Sequence, residues 1–150
     1  MRIRFCSRFC LPAALVVAAA TTVAAAAPAP PAAPANKLVI DPTGTLAPDG
    51  TITLTGTYRC TAQRPAGAVV VATNLVQHGA TSGIGGSAAT CDGRLHAWRN
   101  SARLSRIPYR PGAAEADGTL LQFRRDKMGI PLPHFLAVAP LRPLTLVARP

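Results

Sequence analysis

Two cysteines constrain this chain more than any other feature. The sequence holds four, but Cys6 and Cys10 lie in an N-terminal stretch that reads as an export leader, which leaves Cys60 and Cys91. Arg2, Arg4 and Arg8 precede an unbroken apolar run over residues 11–20, and the alanines at 24–27 offer small residues for cleavage after Ala25, Ala26 or Ala27. That layout, charged and then apolar with small residues at its end, is the layout of a secretory signal peptide over residues 1–27. Residues 11–27 are mostly alanine and fall short of the roughly 20 strongly apolar residues a spanning helix needs. Neither early cysteine follows the apolar run, where a lipoprotein cysteine would have to sit. The expected product is therefore secreted, extracellular or wall-associated, with no membrane contact after cleavage. An even cysteine pair in such a product points to one disulfide, Cys60 to Cys91.

Residues 28–36 are proline, alanine and one asparagine. They bury nothing, favour extended polyproline geometry and read as a spacer. Residues 37–150 then have the length of one domain. Large side chains are few beyond the leader: Tyr58, Trp98, Tyr109, Phe123 and Phe135 are its aromatics. Valine, leucine, isoleucine and alanine must fill most of the interior. A core this thin gains much from a crosslink, and closing a loop of about 30 residues stabilises by about 3–4 kcal/mol in the chain-entropy account.

Period-two patterning sets the fold class. Over residues 51–60, Ile52, Leu54, Tyr58 and Cys60 share one parity, while Thr51, Thr53, Thr55, Thr57 and Arg59 share the other. This is a half-buried strand with Asp49-Gly50 as its entry turn. Residues 38–40 form a short edge candidate, and the β-branched run over 68–77 reads as a central strand. The glycine-rich stretch at 81–86 reads as loose chain before a short strand at 87–91. Asp92-Gly93 turns into a returning arm at 95–99. Residues 100–112 carry arginine and proline without period and read as a surface connection. Residues 113–124 favour extended chain. Pro131, Pro133, Pro140 and Pro143 punctuate the next stretch, and 144–147 makes a last strand. About seven short strands at this spacing predict an all-β antiparallel sandwich of immunoglobulin-like form, with a partly open barrel as the alternative. The cysteines are close together for an immunoglobulin inter-sheet bridge, and the tryptophan follows both of them, so any kinship is architectural.

No constellation for catalysis stands out. Ser82, Ser87, Ser101 and Ser105 lie outside any Gly-x-Ser-x-Gly elbow, and His78, His96 and His134 have no metal-ligand spacing. Gly83 to Gly86 lacks the Lys-Ser or Lys-Thr of a phosphate loop and precedes a strand. No catalytic residue, metal ligand or cofactor is expected, and the chain reads as a non-enzyme. Removal of Arg2, Arg4 and Arg8 leaves 13 of 16 basic residues against 6 acids, a net charge of +7. A GC-rich genome accounts for an arginine-rich, alanine-rich composition, whereas a positioned patch would attract anionic wall polymer. Nothing indicates specific nucleic-acid recognition. The densest basic window offers Arg94, Trp98, Arg99, Arg103 and Arg106 as a possible interaction surface, with Trp98 expected in the core and the arginines around it.

Residues 49–60, 83–86, 91–98, 110–113 and 131–135 together resemble a group of small exported proteins of actinobacteria classed as a domain of unknown function. The resemblance implies export, a cysteine pair at Cys60 and Cys91, and an all-β domain; it carries no catalytic residues. The function expected is that of a secreted binding or interaction domain with an extracellular or cell-surface partner. A secreted hydrolase, a protease-inhibitor-like protein presenting residues 99–111, and a cationic binder of wall polymer are the alternatives.

Overall fold

The computed structural model describes residues 35–61, 67–104 and 109–150. The leader, most of the spacer and Arg106 lie outside the described residues. Eight strands follow one another: β1 (Lys37–Ile40), β2 (Thr43–Leu46), β3 (Thr51–Thr61), β4 (Val69–Gln77), β5 (Ala80–Ala88), β6 (Asp92–Arg103), β7 (Gly112–Arg125) and β8 (Pro131–Ala148). Hydrogen bonding joins them in the order β1-β3-β2-β8-β7-β4-β5, with β6 paired to the other edge of β3. Every pairing is antiparallel except β2 with β8, which runs parallel from Thr43 opposite Thr145 to Leu46 opposite Ala148. Thus β2 is the seam. It joins β1, β3 and β6 to β8, β7, β4 and β5.

β3 forms as its alternation requires. Ile52, Leu54, Tyr58 and Cys60 are buried, and β6 lies along its length from Thr51 opposite Arg103 to Thr61 opposite Asp92. Asp49 fixes the entry turn by accepting the Thr51 N–H at 3.0 Å, and Gly50 adopts φ 79 there. The other strands supply Leu38, Val71, Leu75, Ile84, Leu120, Leu144 and Leu146 to the same core. Trp98 is 5% exposed and gives its indole N–H to the Val39 carbonyl at 3.1 Å. A Cβ on Gly56 would meet that carbonyl and the indole ring, so the glycine makes room for the tryptophan.

Three expectations change, and one strand, β2, is added. β5 spans the stretch read as loose, and residues 89–91 are not strand. The cause is the two-residue turn between Gln77 and Ala80, where His78 (φ 51) and Gly79 (φ 80) both take the left-handed backbone that fixes hairpin register. The glycines then fall on an edge strand, an extra residue near Gly85 (φ 75) is absorbed as a bulge, and buried Ile84 anchors the strand. β6 continues to Arg103 through residues read as connection, because Asn100 faces inward and its amide nitrogen finds acceptors on β4 and β5. Its Nδ2 is within hydrogen-bond distance of Val71 O (3.0 Å), Thr73 Oγ1 (3.0 Å) and Gly85 O (3.3 Å). β2 escapes sequence patterning because it is short and polar; Gly44 is buried where a Cβ would press on Leu54 and Leu146. β8 begins at Pro131 because its first two-thirds pair only with β7 among the described residues, and proline is tolerated on an open edge. Two register shifts against β7 absorb the irregularity.

The Cys60–Cys91 disulfide is formed, with 4.6 Å between its Cα atoms. It ties the end of β3 to the residue before β6, and the loop it closes contains β4 and β5. Replacing both cysteines by alanine is expected to lower unfolding free energy by about 3–4 kcal/mol. Denaturant titration of the double variant against the parent chain measures this, and equal midpoints would refute the assigned role.

Candidate binding face

The outward parity of β3 carries Thr51, Thr53, Thr55, Thr57 and Arg59, and register aligns it with its neighbours. Lys37 of β1 sits opposite Arg59, Thr45 of β2 opposite Thr53, and Arg99 and Arg103 of β6 opposite Thr55 and Thr51. The result is a cationic, hydroxyl-rich surface on the side of β3 facing away from the core. A groove of about 330 Å³ crosses it, lined among others by Thr43, Thr45, Thr53, Thr55, Arg99 and Arg149. A second hollow of about 320 Å³ lies toward Lys37, Thr57 and Arg59.

The hydroxyls are ordered by local bonds. Thr53 Oγ1 and Ser101 Oγ are 2.8 Å apart, and Thr55 Oγ1 donates to Asp41 Oδ2 at 2.6 Å. Arg103 is engaged at the margin: its Nε donates to Asp49 O at 3.1 Å, with Asp49 Oδ2 at 3.9 Å. The Asp49 carboxyl sits below its ordinary range, chiefly through the Thr51 backbone N–H and then the Thr51 hydroxyl. Chemically, guanidinium groups beside threonine hydroxyls suit oxygen-rich anions and polyols.

The predicted interaction residues do not act as one patch. Arg99 and Arg103 share the outward parity of β6, whereas Arg94 falls on the other parity, near the start of that strand. Trp98 is buried, as the sequence leads one to expect, and offers no stacking platform. The other cations escape linear reading: Lys37 and Arg59 line the second hollow from β1 and β3, and Arg149 reaches the groove from beyond β8. Only the threonine parity of β3 announces part of it.

Around the disulfide a second polar group assembles. Tyr58 OH accepts the Thr90 N–H at 2.9 Å, the Tyr58 ring stacks on His96 with centroids 5.3 Å apart, and His96 Nε2 lies 2.7 Å from Asp92 Oδ1. Asp92 also accepts the Arg94 N–H at 2.9 Å. Its carboxyl is held below the ordinary range, first by the His96 hydrogen bond and then by that backbone N–H. Histidine and aspartate alone make two parts of a hydrolytic triad, and no hydroxyl hydrogen-bonds His96 among the described residues. His78 lies in the β4–β5 turn, and His134 pairs with Gln122 toward the opposite end of that sheet, so the three histidines do not converge. The described residues contain no group of three or more histidine, cysteine or acidic side chains suited to a metal. No helix among them is long and apolar enough to cross a membrane.

These features define a disulfide-bridged, all-β domain with a cationic outer face. The chain belongs to a family of unknown function, DUF6299, whose model matches residues 34–149. Among solved structures it is similar to murine CRIg, at 11% identity and TM-score 0.33, over 77% of this chain and 98% of that one. No curated protein matches it.

Because the folded-state carboxyl of Asp92 is depressed, its contribution to stability is complete above the ordinary carboxylate value near 4. It disappears as pH falls through the lower, folded value. Asp92→Asn is expected to lower the neutral plateau of a stability-against-pH curve and to flatten its acid limb below about pH 4, so that variant and parent converge in acid. Urea midpoints taken between pH 2 and 7 test this, and a steeper acid limb in the variant would contradict it.

Proposed function

We propose that this is an exported, non-enzymatic binding domain that holds an anionic polymer, such as a phosphate-bearing wall polymer, on the outer face of β3 and β6. The observation that carries the reading is the convergence of Arg99 and Arg149 on the threonine-lined groove, from β6 and from the chain beyond β8. A guanidinium pair set among hydroxyl donors presents several hydrogen bonds to phosphate or carboxylate oxygens, and the excess of basic residues favours the encounter. The leader-like N-terminus and the disulfide support export.

The finer architecture belongs to the same reading. We read β1, β3 and β6 as counterparts of strands A, B and E of an immunoglobulin domain, and β8, β7 and β4 as counterparts of G, F and C, with β5 as the added edge; strand order and pairing support this reading. A sandwich is the arrangement we infer, and its support is that Leu38 of β1 lies 3.2 Å from where a Cβ on Gly118 of β7 would be. Two features depart from the antibody pattern. The disulfide joins the end of β3 to the entry of β6, and the tryptophan sits on β6.

The test uses protein recovered from culture supernatant, whose mass should place its N-terminus after Ala25, Ala26 or Ala27. It should be retained on immobilised polyphosphate at low salt and elute as salt rises. Arg99→Glu with Arg149→Glu should weaken retention by about tenfold or more, since each removes one anion contact and adds repulsion. Retention unchanged by the double substitution would sink the assignment.

A further inference from the structure

The β7–β8 hairpin runs past its neighbours. β4 pairs with β7 only as far as Val69 opposite Gln122, and the Phe123 N–H is then taken by Ala68 O at 2.8 Å. Beyond that point Arg124 and Arg125 pair with Leu132 and Pro131 of β8, and no third strand joins them among the described residues. The turn that closes this finger is tightly built. Asp126 N–H donates to Ile130 O, Gly129 N–H to Asp126 O, and Asp126 Oδ1 accepts the N–H groups of Met128 and Ile130 at 2.9 and 2.8 Å. Arg125 Nη1 adds a bond to Gly129 O at 2.7 Å. The tip is thus ordered by backbone and carboxylate bonds that use none of its apolar side chains.

Those side chains face water. Met128 is 83% exposed, Ile130 49% and Leu132 51%, within one hairpin end. A turn needed only to reverse the chain would be polar. The charges at the same end are Arg124, Arg125 and Lys127 against one acid, and that acid, Asp126, is committed to two backbone N–H groups. Apolar side chains ringed by cations match an anionic lipid interface, where the former enter the headgroup boundary and the latter meet phosphates. A second copy of the tip would bring like charges together, so self-association through it is disfavoured.

We propose that the β7–β8 hairpin tip docks peripherally on an anionic lipid surface, with Met128 and Ile130 inserted and Lys127 and Arg125 supplying attraction. This contact goes beyond the polymer reading, uses none of its groove residues, and replaces the expectation of no membrane contact. The chain should co-sediment with phosphatidylcholine vesicles containing phosphatidylglycerol and not with phosphatidylcholine alone. Lys127→Glu should lower the partition coefficient by about fivefold or more. Met128→Asp with Ile130→Asp should lower it by at least about tenfold. In Met128→Trp, fluorescence should be quenched by brominated lipid, while buried Trp98 in the parent chain is not. Circular dichroism and thermal unfolding confirm that the exposed substitutions leave the fold intact. Arg99→Glu with Arg149→Glu should still bind vesicles, which separates failure of the groove from failure of the tip. Equal vesicle binding by the aspartate double variant, absence of quenching in Met128→Trp, or a dimer in solution that those aspartates abolish would each overturn the proposal.

Discussion

The loop closed by Cys60 and Cys91 organises the whole structure. Its ends lie on β3 and at the entry to β6, two strands that pair with each other, but the strands inside it, β4 and β5, pair elsewhere. Closing the loop keeps that excursion from separating from the strands it left. Once β4 and β5 return to the level of β6, the Asn100 carboxamide reaches Val71, Thr73 and Gly85 and ties all three strands together. A buried amide is stabilising only when its partners are in place, because an unsatisfied one costs about 1–3 kcal/mol. The crosslink limits the unfolded ensemble and the amide selects the register, so the two act on different sides of the folding equilibrium.

A second buried amide works the same way at the far end of β4. Gln77 Nε2 donates to Arg110 O and Ala113 O, and its Oε1 accepts the Arg110 N–H at 2.9 Å. With few aromatics to fill the interior, apolar contact alone positions the long connections weakly. Polar side chains that bond backbone groups across strands take over that task. They also spare the outer parity of β3 that task, and Thr51, Thr55 and Thr57 stay half-exposed there, with Thr53 covered between them, while the other parity packs.

How much of the fold is legible in the sequence depends on where each signal resides. The β3 alternation, the Asp49-Gly50 turn and the all-β class are legible because they depend on neighbours one or two residues apart. The extent of β6 is not, because Asn100 looks like a surface residue until the acceptors on β4 and β5 are known. β5 escapes local reading for a related reason: its glycines argue against a strand, yet the His78-Gly79 turn fixes the pairing and an edge position tolerates them. The groove is only partly visible. Arg99 stands in the basic window, but Thr43, Thr45 and Arg149 reach it through the parallel pairing of β2 with β8, a contact about a hundred residues apart in sequence that no local period encodes.

The open side of β8 shows why the surfaces of this domain act through side chains. Among the described residues, that strand pairs only with β7 from Pro131 onward until β2 joins near its end. An exposed strand edge beside apolar residues such as Phe135 and Val138 is a template for pairing with another chain. Pro131, Pro133, Pro140 and Pro143 each remove an N–H from the strand, and the two bulges against β7 bend it further. Strand addition loses its regular ladder there, whereas the side chains remain exposed. Apolar groups can then be displayed on this hairpin without inviting extension of the sheet, and whatever meets them must be recognised by shape, apolarity and charge instead of backbone hydrogen bonds.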